Sequence, residues 1–364
     1  MNIKERPFYD VGQSYEANYD QGPFGTFAGT QPEVLPKTEQ HTFLGYSVDI
    51  PFGIPAGPLL NSRFITAAWE EGFSLTTYKT IRGNEYPCHP YPNVIKILSP
   101  NKDIHPGDMV HGELDMSTID VTQDGITNSF GVPSKPPNIW QEDVSRALRA
   151  MKKGNLLILS FMGTKKEGMS RDEYIANFVA TLQLVRQTGA PVSEVNFSCP
   201  NVGREGLICN DIETSRDLLE AMKPAKGNVP LLVKIGYFAK EQQEDLEHLL
   251  EAIHANAEGV VAINTIQAKV VDEAGKQILP GNPVRLYSGI CGAGIRWAGL
   301  EMAERIMAIK RQKGWKDFVV VGVGGVTTVD DYKKYMALGV DAVQSATGAM
   351  WRPDLAMRIR KQIS

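Results

Sequence analysis

Short apolar runs recur from about residue 50 to the end of the chain, with stretches of helical periodicity between them, and this alternation constrains the fold most. The runs cover residues 53–57, 75–80, 156–161, 192–197, 230–235, 260–264, 318–323 and 342–346, eight candidate strands. Several are β-branched and apolar on both faces, as a buried parallel sheet requires. Strand and helix alternating this often predicts an α/β chain closed into a (β/α)8 barrel, with an open doubly wound sheet as the alternative. The 364 residues suit such a barrel, which takes about 250 residues before insertions.

The helical stretches carry their own punctuation. Ser170 and Glu173 have capping-box spacing, in which each side chain satisfies an orphan backbone N–H of the helix start. Tyr174, Phe178, Leu182 and Val185 then follow at spacings of three and four, and Gly189 marks the stop. Residues 242–257 repeat the pattern through Leu246, Leu249, Leu250 and Ile253, with Gly259 as the expected stop. Thr328 is a candidate cap for a helix carrying Tyr332, Tyr335 and Leu338 and ending at Gly339; Gly72, Gly154 and Gly314 read as further stops. Residues 1–45 read as an irregular, partly wrapped arm, and 46–364 as one barrel domain. Two segments, 82–138 and 267–294, break the rhythm after strand C-termini, the side on which barrels build active sites, so both are expected to roof one.

Composition narrows the function classes. A formal net charge of -4 gives no basic face for nucleic acid. The four cysteines, Cys88, Cys199, Cys209 and Cys291, lack C-x-x-C spacing and are too few for a disulfide scaffold. His89, His105 and His111, with Asp108, match no metal-site spacing and read as surface-loop residues, so no metal is expected. The first ten residues have no apolar core of a signal peptide. The strongest apolar stretch, 156–162, falls far short of the roughly 18 residues of a membrane span. A cytoplasmic protein with no membrane or nucleic-acid partner is the expectation.

Chemistry concentrates at the strand C-termini. The first strand ends at Ala56 and Gly57, the second at Lys79 and Thr80, the fourth at Asn196, Ser198 and Cys199, and the fifth at Lys234. The sixth ends at Asn264 and Thr265, the seventh at Gly322, Gly324 and Gly325, and the eighth at Ala346, Thr347 and Gly348. Glycines after strands seven and eight are where barrels bind phosphate through backbone N–H groups; tight turns would explain them equally well. Lys234, inside an apolar run, must reach the rim or meet an anion. There it could stabilise negative charge on a reduced flavin or form a Schiff base, and Lys79 poses the same choice. Cys199 stands at a strand-to-loop junction between two amides, a place for a thiolate base more than for a buried thiol. Cys209 reads as structural, Cys291 has a weaker case than Cys199, and Cys88 reads as incidental. Asn128, Asn196, Asn201 and Asn264 each offer a donor and an acceptor, which suits a planar ring of alternating C=O and N–H groups.

Taken together, these motifs resemble the dihydroorotate dehydrogenase family over roughly residues 40 to 360, and its soluble class more than its membrane-associated one. The residues that carry the likeness are 41–45 with 51–57, Tyr78-Lys79-Thr80, Asn128 to Pro133, Asn196-Phe197-Ser198-Cys199-Pro200-Asn201, Val233-Lys234, Ile263-Asn264-Thr265, Ser288-Gly289, Gly324-Gly325 and Gln344 to Thr347. The resemblance implies an FMN enzyme of pyrimidine biosynthesis that oxidises dihydroorotate to orotate. Cys199 would take the proton from C5 while hydride leaves C6 for flavin N5, and Lys79 would hold the substrate carboxylate and contact the flavin. Asn128, Phe130, Gly131, Val132, Asn196, Asn201, Asn264 and Thr265 would surround the substrate. Ala56, Gly57, Lys79, Thr80, Asn128, Asn196, Lys234, Ile263, Ser288, Gly289, Gly324, Gly325, Ala346 and Thr347 would hold FMN. It also implies a homodimer and leaves room for an iron–sulfur partner subunit, which no motif here indicates. A related FMN oxidoreductase acting on another cyclic amide or enone, a Schiff-base aldolase at Lys234, and a non-catalytic flavin-binding scaffold are the competing functions, in that order.

Overall fold

The computed structural model describes residues 7–29, 34–98, 103–198, 207–281 and 285–363. An arm helix α1 (Tyr15–Gln21) and a hairpin of β1 (His41–Phe43) and β2 (Tyr46–Val48) precede β3 (Phe52–Ile54), α2 (Ser62–Glu70) and β4 (Leu75–Ile81). The first insertion supplies β5 (Lys96–Ile97), β6 (Met109–Glu113) and β7 (Gly125–Asn128). Then come α3 (Pro137–Ala150), β8 (Leu156–Phe161), α4 (Arg171–Gln187), β9 (Val192–Asn196), α5 (Ile212–Lys226), β10 (Leu231–Ile235), α6 (Gln243–Asn256) and β11 (Gly259–Ala262). The second insertion holds β12 (Ile266–Val271) and β13 (Tyr287–Gly292). The chain closes with α7 (Arg296–Lys313), β14 (Val319–Val323), α8 (Val329–Ala337), β15 (Ala342–Gln344), α9 (Thr347–Trp351) and α10 (Leu355–Ile363).

All eight apolar runs become strands, and β3, β4, β8, β9, β10, β11, β14 and β15 pair in parallel into a closed barrel. Side chains alternate along each strand, so one residue parity points to the helices and the other into the barrel. Tyr78, Leu159, Val195, Val233 and Val320 take the outward parity and share a buried layer with Phe178, Leu218, Leu249 and Ile306 of the helices. Each such side chain contributes about 1.5–3 kcal/mol by leaving water. Leu75, Ile158, Val192, Leu232, Val261, Val321 and Ala342 take the inward parity and form a separate apolar cluster with Phe43 and Val48. The β1–β2 hairpin therefore closes the N-terminal end of the barrel, and the open end is the C-terminal one.

The two insertions do more than cover that end. β12, β13, β7, β5 and β6 join into a second closed sheet, with β13 antiparallel to β7 and Gly289 opposite Asn128. Helix boundaries follow the expected chemistry. Ser170 Oγ accepts from Glu173 N at 3.2 Å while the Glu173 carboxylate accepts from Ser170 N at 2.8 Å. Gly72, Gly189, Gly314 and Gly339 take positive φ just past their helices.

Three expectations need correction. The arm is not wholly irregular: Ser14 Oγ caps α1, and Phe8, Tyr9 and Tyr15 are buried in the main core. Gly259 does not stop α6, which ends at an extended Ala257; it opens β11, where a Cβ would lie 2.3 Å from the Val319 carbonyl oxygen. Gly154 lies beyond the C-cap of α3, Met151, and leads into β8.

Candidate active site

At the barrel's C-terminal mouth, under the second sheet, lies a cleft with about 790 Å³ of space not filled by protein. Twelve residues anticipated from the sequence line it: Ala56, Gly57, Asn128, Phe130, Lys234, Ile263, Asn264, Thr265, Gly324, Gly325, Ala346 and Thr347. Asn128 arrives from β7 at the end of the first insertion, and Cys291 and Gly292 come from β13 in the second. Tyr9 reaches the wall from the arm and meets Phe130 edge-on, ring centroids 5.7 Å apart. Tyr9, Val94 and Gln344 went unassigned in the sequence. Tyr9 and Val94 gave no local signal, because packing of arm and insertion puts them there. Gln344 could have been found by inward parity from Ala342.

One side of the cleft is backbone. Gly324 and Gly325 have φ of 130° and 66°, the left-handed half of conformational space that glycine enters without strain. Behind Gly325, Arg296 Nε donates to its carbonyl at 2.9 Å and pairs with Asp331 at 3.0 Å. Asp331 also accepts from the Thr327 and Thr328 N–H groups at 3.1 and 3.0 Å. The glycine ribbon is thus pinned from outside, and its inner face is left to the cleft.

The floor is polar. Thr77, Ser160, Glu194, Lys234 and Gln344, all buried, each lie two residues beyond a member of the inward apolar cluster and share its parity. Gln344 Nε2 donates to Thr77 Oγ1 at 3.1 Å, while its Oε1 and the Thr265 Oγ1 are buried with no hydrogen-bond partner among the described residues. Both residues border the cleft, so a polar ligand there would satisfy them. Burial lowers the Lys234 pKa, and the Glu194 and Cys291 side chains oppose it. Burial pushes the Cys291 thiol up to about 11, against the Thr347 hydroxyl and Lys234. Cys291 is therefore a neutral thiol in the wall. A lysine, unsatisfied polar oxygens and a glycine ribbon around one cleft are the groups that could hold a flavin mononucleotide, with Lys234, Gln344 and Gly324-Gly325 as its holders.

The other anticipated residues lie off this wall. Lys79 and Thr80 border a neighbouring recess with Tyr78 and Trp140, and Lys79 acts electrostatically on Cys88. Asn196 sits behind Asn264, whose Nδ2 lies 3.4 Å from Asn196 Oδ1 and 2.7 Å from the Ser198 carbonyl. Gly131 and Val132 belong to the loop after β7, held through their carbonyls by the buried Arg82. Ser288 is buried on β13, and Gly289 is paired with Asn128. Cys199 and Asn201 lie outside the described residues. The three histidines do not cluster: His89 packs under Gly131, His105 stacks on Trp297, and His111 meets the Asp272 carbonyl. His105 and His111 are exposed, whereas His89 is half-buried, which corrects its reading as a surface residue. Cys209 is fully buried. Among the described residues no helix is long and apolar enough to cross a membrane.

A family model described as dihydroorotate dehydrogenase matches residues 112–364. A dihydroorotate dehydrogenase of Dictyostelium discoideum is 35% identical over 366 residues, covering 97% of this chain and 96% of the relative. A dihydroorotate dehydrogenase (quinone) of Clavibacter sepedonicus is 26% identical over 328 residues, 86% of this chain and 81% of that one. In fold, the chain is similar to the DHODH of Eimeria tenella crystallised with ferulenol, with a TM-score of 0.68 at 14% identity over 96% of this chain and 88% of that one.

Proposed function

This chain belongs to the dihydroorotate dehydrogenase family, and on that premise we propose that it uses FMN to oxidise dihydroorotate to orotate in de novo UMP synthesis. The supporting observation is the cleft itself: Lys234, two unsatisfied buried oxygens and the Gly324-Gly325 ribbon share one chamber at the mouth of the barrel. FMN, when bound, would supply the two-electron acceptor for the hydride that the substrate gives up.

The chain's own groups do the rest. Cys199 takes the C5 proton as the general base. Lys79 pairs with the substrate carboxylate, and burial in the barrel rim strengthens that attraction by removing competing water. Asn128, Asn264 and Thr265 hydrogen-bond the pyrimidine ring, and the resemblance assigns Asn201 to the same ring. Asn196 holds Asn264 in place through the contact described above. The loop of Phe130, Gly131 and Val132 closes over the substrate, its shape set by the Arg82 hydrogen bonds. Gly57 supports the reading further: its φ is +147° and a Cβ there would meet nothing within 4 Å, so the backbone leaves room for a ligand. The working unit is a cytoplasmic homodimer.

The test is the absorbance spectrum of the purified protein before and after anaerobic dihydroorotate. The expected result is a yellow protein that bleaches. A yellow protein untouched by dihydroorotate transfers the assignment to another cyclic amide or enone, and a colourless protein that takes up no FMN ends the flavin reading. Cys199→Ala should slow bleaching about 10²- to 10⁴-fold while keeping the colour, the usual loss on removing a general base.

A further inference from the structure

The polar floor contains one acid, and no step above uses it. Glu194 lies on β9, opposite Ser160 of β8 and Leu232 of β10. Lys234 lies two residues beyond Leu232, opposite Asn196, so both charged side chains share the inward parity. Glu194 is wholly buried, the only glutamate so placed among the described residues, and Lys234 is 3% exposed. Among the described residues no hydrogen bond of ordinary length and angle reaches either Glu194 oxygen.

A buried carboxylate in that position must take up a proton or meet a cation. The groups facing it are Ser160, whose hydroxyl is 3.0 Å from Thr80 Oγ1, and Lys234. Burial raises Glu194; Lys234 opposes this most, then the Ser160 hydroxyl. Burial lowers Lys234 in turn; Glu194 opposes this most, and the Cys291 thiol of β13 adds less. The two groups lie diagonally on neighbouring strands, Lys234 two positions beyond the residue opposite Glu194, and the same barrel wall shields both from water. Lys234 alone of the two borders the cleft.

Resting on the flavin reading above, we infer that Glu194 is a positioning residue: its carboxylate is the internal counter-ion that keeps Lys234 a charged ammonium toward the cleft and the N1–O2 edge of bound FMN. Lys234 touches the ligand, and Glu194 acts only through it. Without the carboxylate, the desolvation of Lys234 loses the group that opposes it most, and the lysine holds its proton less tightly.

The readout is the reduction potential of the bound flavin against pH, for wild type, Glu194→Gln and Lys234→Gln. Wild type should stay above Lys234→Gln from about pH 6 to about pH 9, because the ammonium favours the anionic reduced ring throughout. Glu194→Gln should match or exceed wild type at the acid end of this range and fall towards the Lys234→Gln value as pH rises. A Glu194→Gln curve that tracks wild type, or lies above it throughout, overturns the inference, as does a Lys234→Gln curve identical to wild type. Isotope-edited infrared spectroscopy of glutamate-labelled wild-type protein gives an answer even if the variant fails to fold or the protein proves colourless. It should show no buried protonated glutamate across this range, and such a band would refute the counter-ion. Loss of colour counts against the flavin reading alone; unchanged potentials in a coloured variant count against Glu194 alone.

Discussion

Gly325 has its Cα so close to Arg296 that an added Cβ would lie 2.5 Å from the Arg296 Cβ, at a φ of 66° that L side chains avoid. Gly325→Ala should therefore displace the ribbon and weaken FMN retention by tenfold or about that. The flavin-to-protein ratio after gel filtration, with far-UV circular dichroism as the fold control, measures it. Gly131 shows the same close approach toward His89, whose ring would lie 2.4 Å from an added Cβ. Burial lowers the His89 pKa from 6.5 to about 4, helped by Arg285 and then Arg82. The unfolded chain thus binds a proton that the folded one refuses, and stability falls as pH drops from about 6.5 towards about 4. Discounted for its half-exposed ring, the loss is about 1–2 kcal/mol. Urea unfolding of wild type and His89→Gln at both ends of that window should show the variant losing less.

Helix starts differ in consequence although their chemistry is alike. The capping box at Ser170 is exposed and borders no cleft, so Ser170→Ala should cost about 1 kcal/mol and leave FMN in place. The matching box on α8 pairs Thr328 with Asp331, and that carboxylate also holds Thr327 N and Arg296 behind Gly325. Asp331→Ala should cost about 3–5 kcal/mol, since it takes the carboxylate from the Arg296 guanidinium and leaves several N–H groups without their acceptor. It should also loosen FMN. Thermal melts of the two variants, read by circular dichroism and by flavin fluorescence, separate a cap from a cap that also builds the site.

The molecule closes its site with chain from both ends and both insertions. Phe8 stacks on Phe27 at 4.2 Å and meets Phe64 edge-on, and its N–H donates to the Met350 carbonyl just past the eighth strand. Its neighbour Tyr9 lines the cleft. Phe8→Ala should cost about 3–5 kcal/mol through the cavity it leaves. It should also raise the dihydroorotate concentration needed for half-maximal bleaching, because Tyr9 and Phe130 lose their support. Steady-state kinetics beside a denaturant titration tests both effects.

The strands were legible because a parallel strand buried on both faces must be written in β-branched and apolar residues, and 156–161, 230–235 and 318–323 are. The lysines and amides of the rim were legible for a related reason: polar groups at the ends of such runs cost free energy unless they have work to do. Much of the site was not. Tyr9 reaches the cleft through packing of the arm, and Cys291 faces it because β13 pairs with β7, far back along the chain. Such register is set by contacts between distant segments, of which local sequence carries no trace. The charge on Lys234 likewise depends on the acid across β9 and β10. By itself the sequence determined the barrel and the chemical types at its mouth, because burial and alternation act over a few neighbouring residues. Tertiary structure alone decided which of those groups share one cleft, because distances between strands exist only once the barrel has closed.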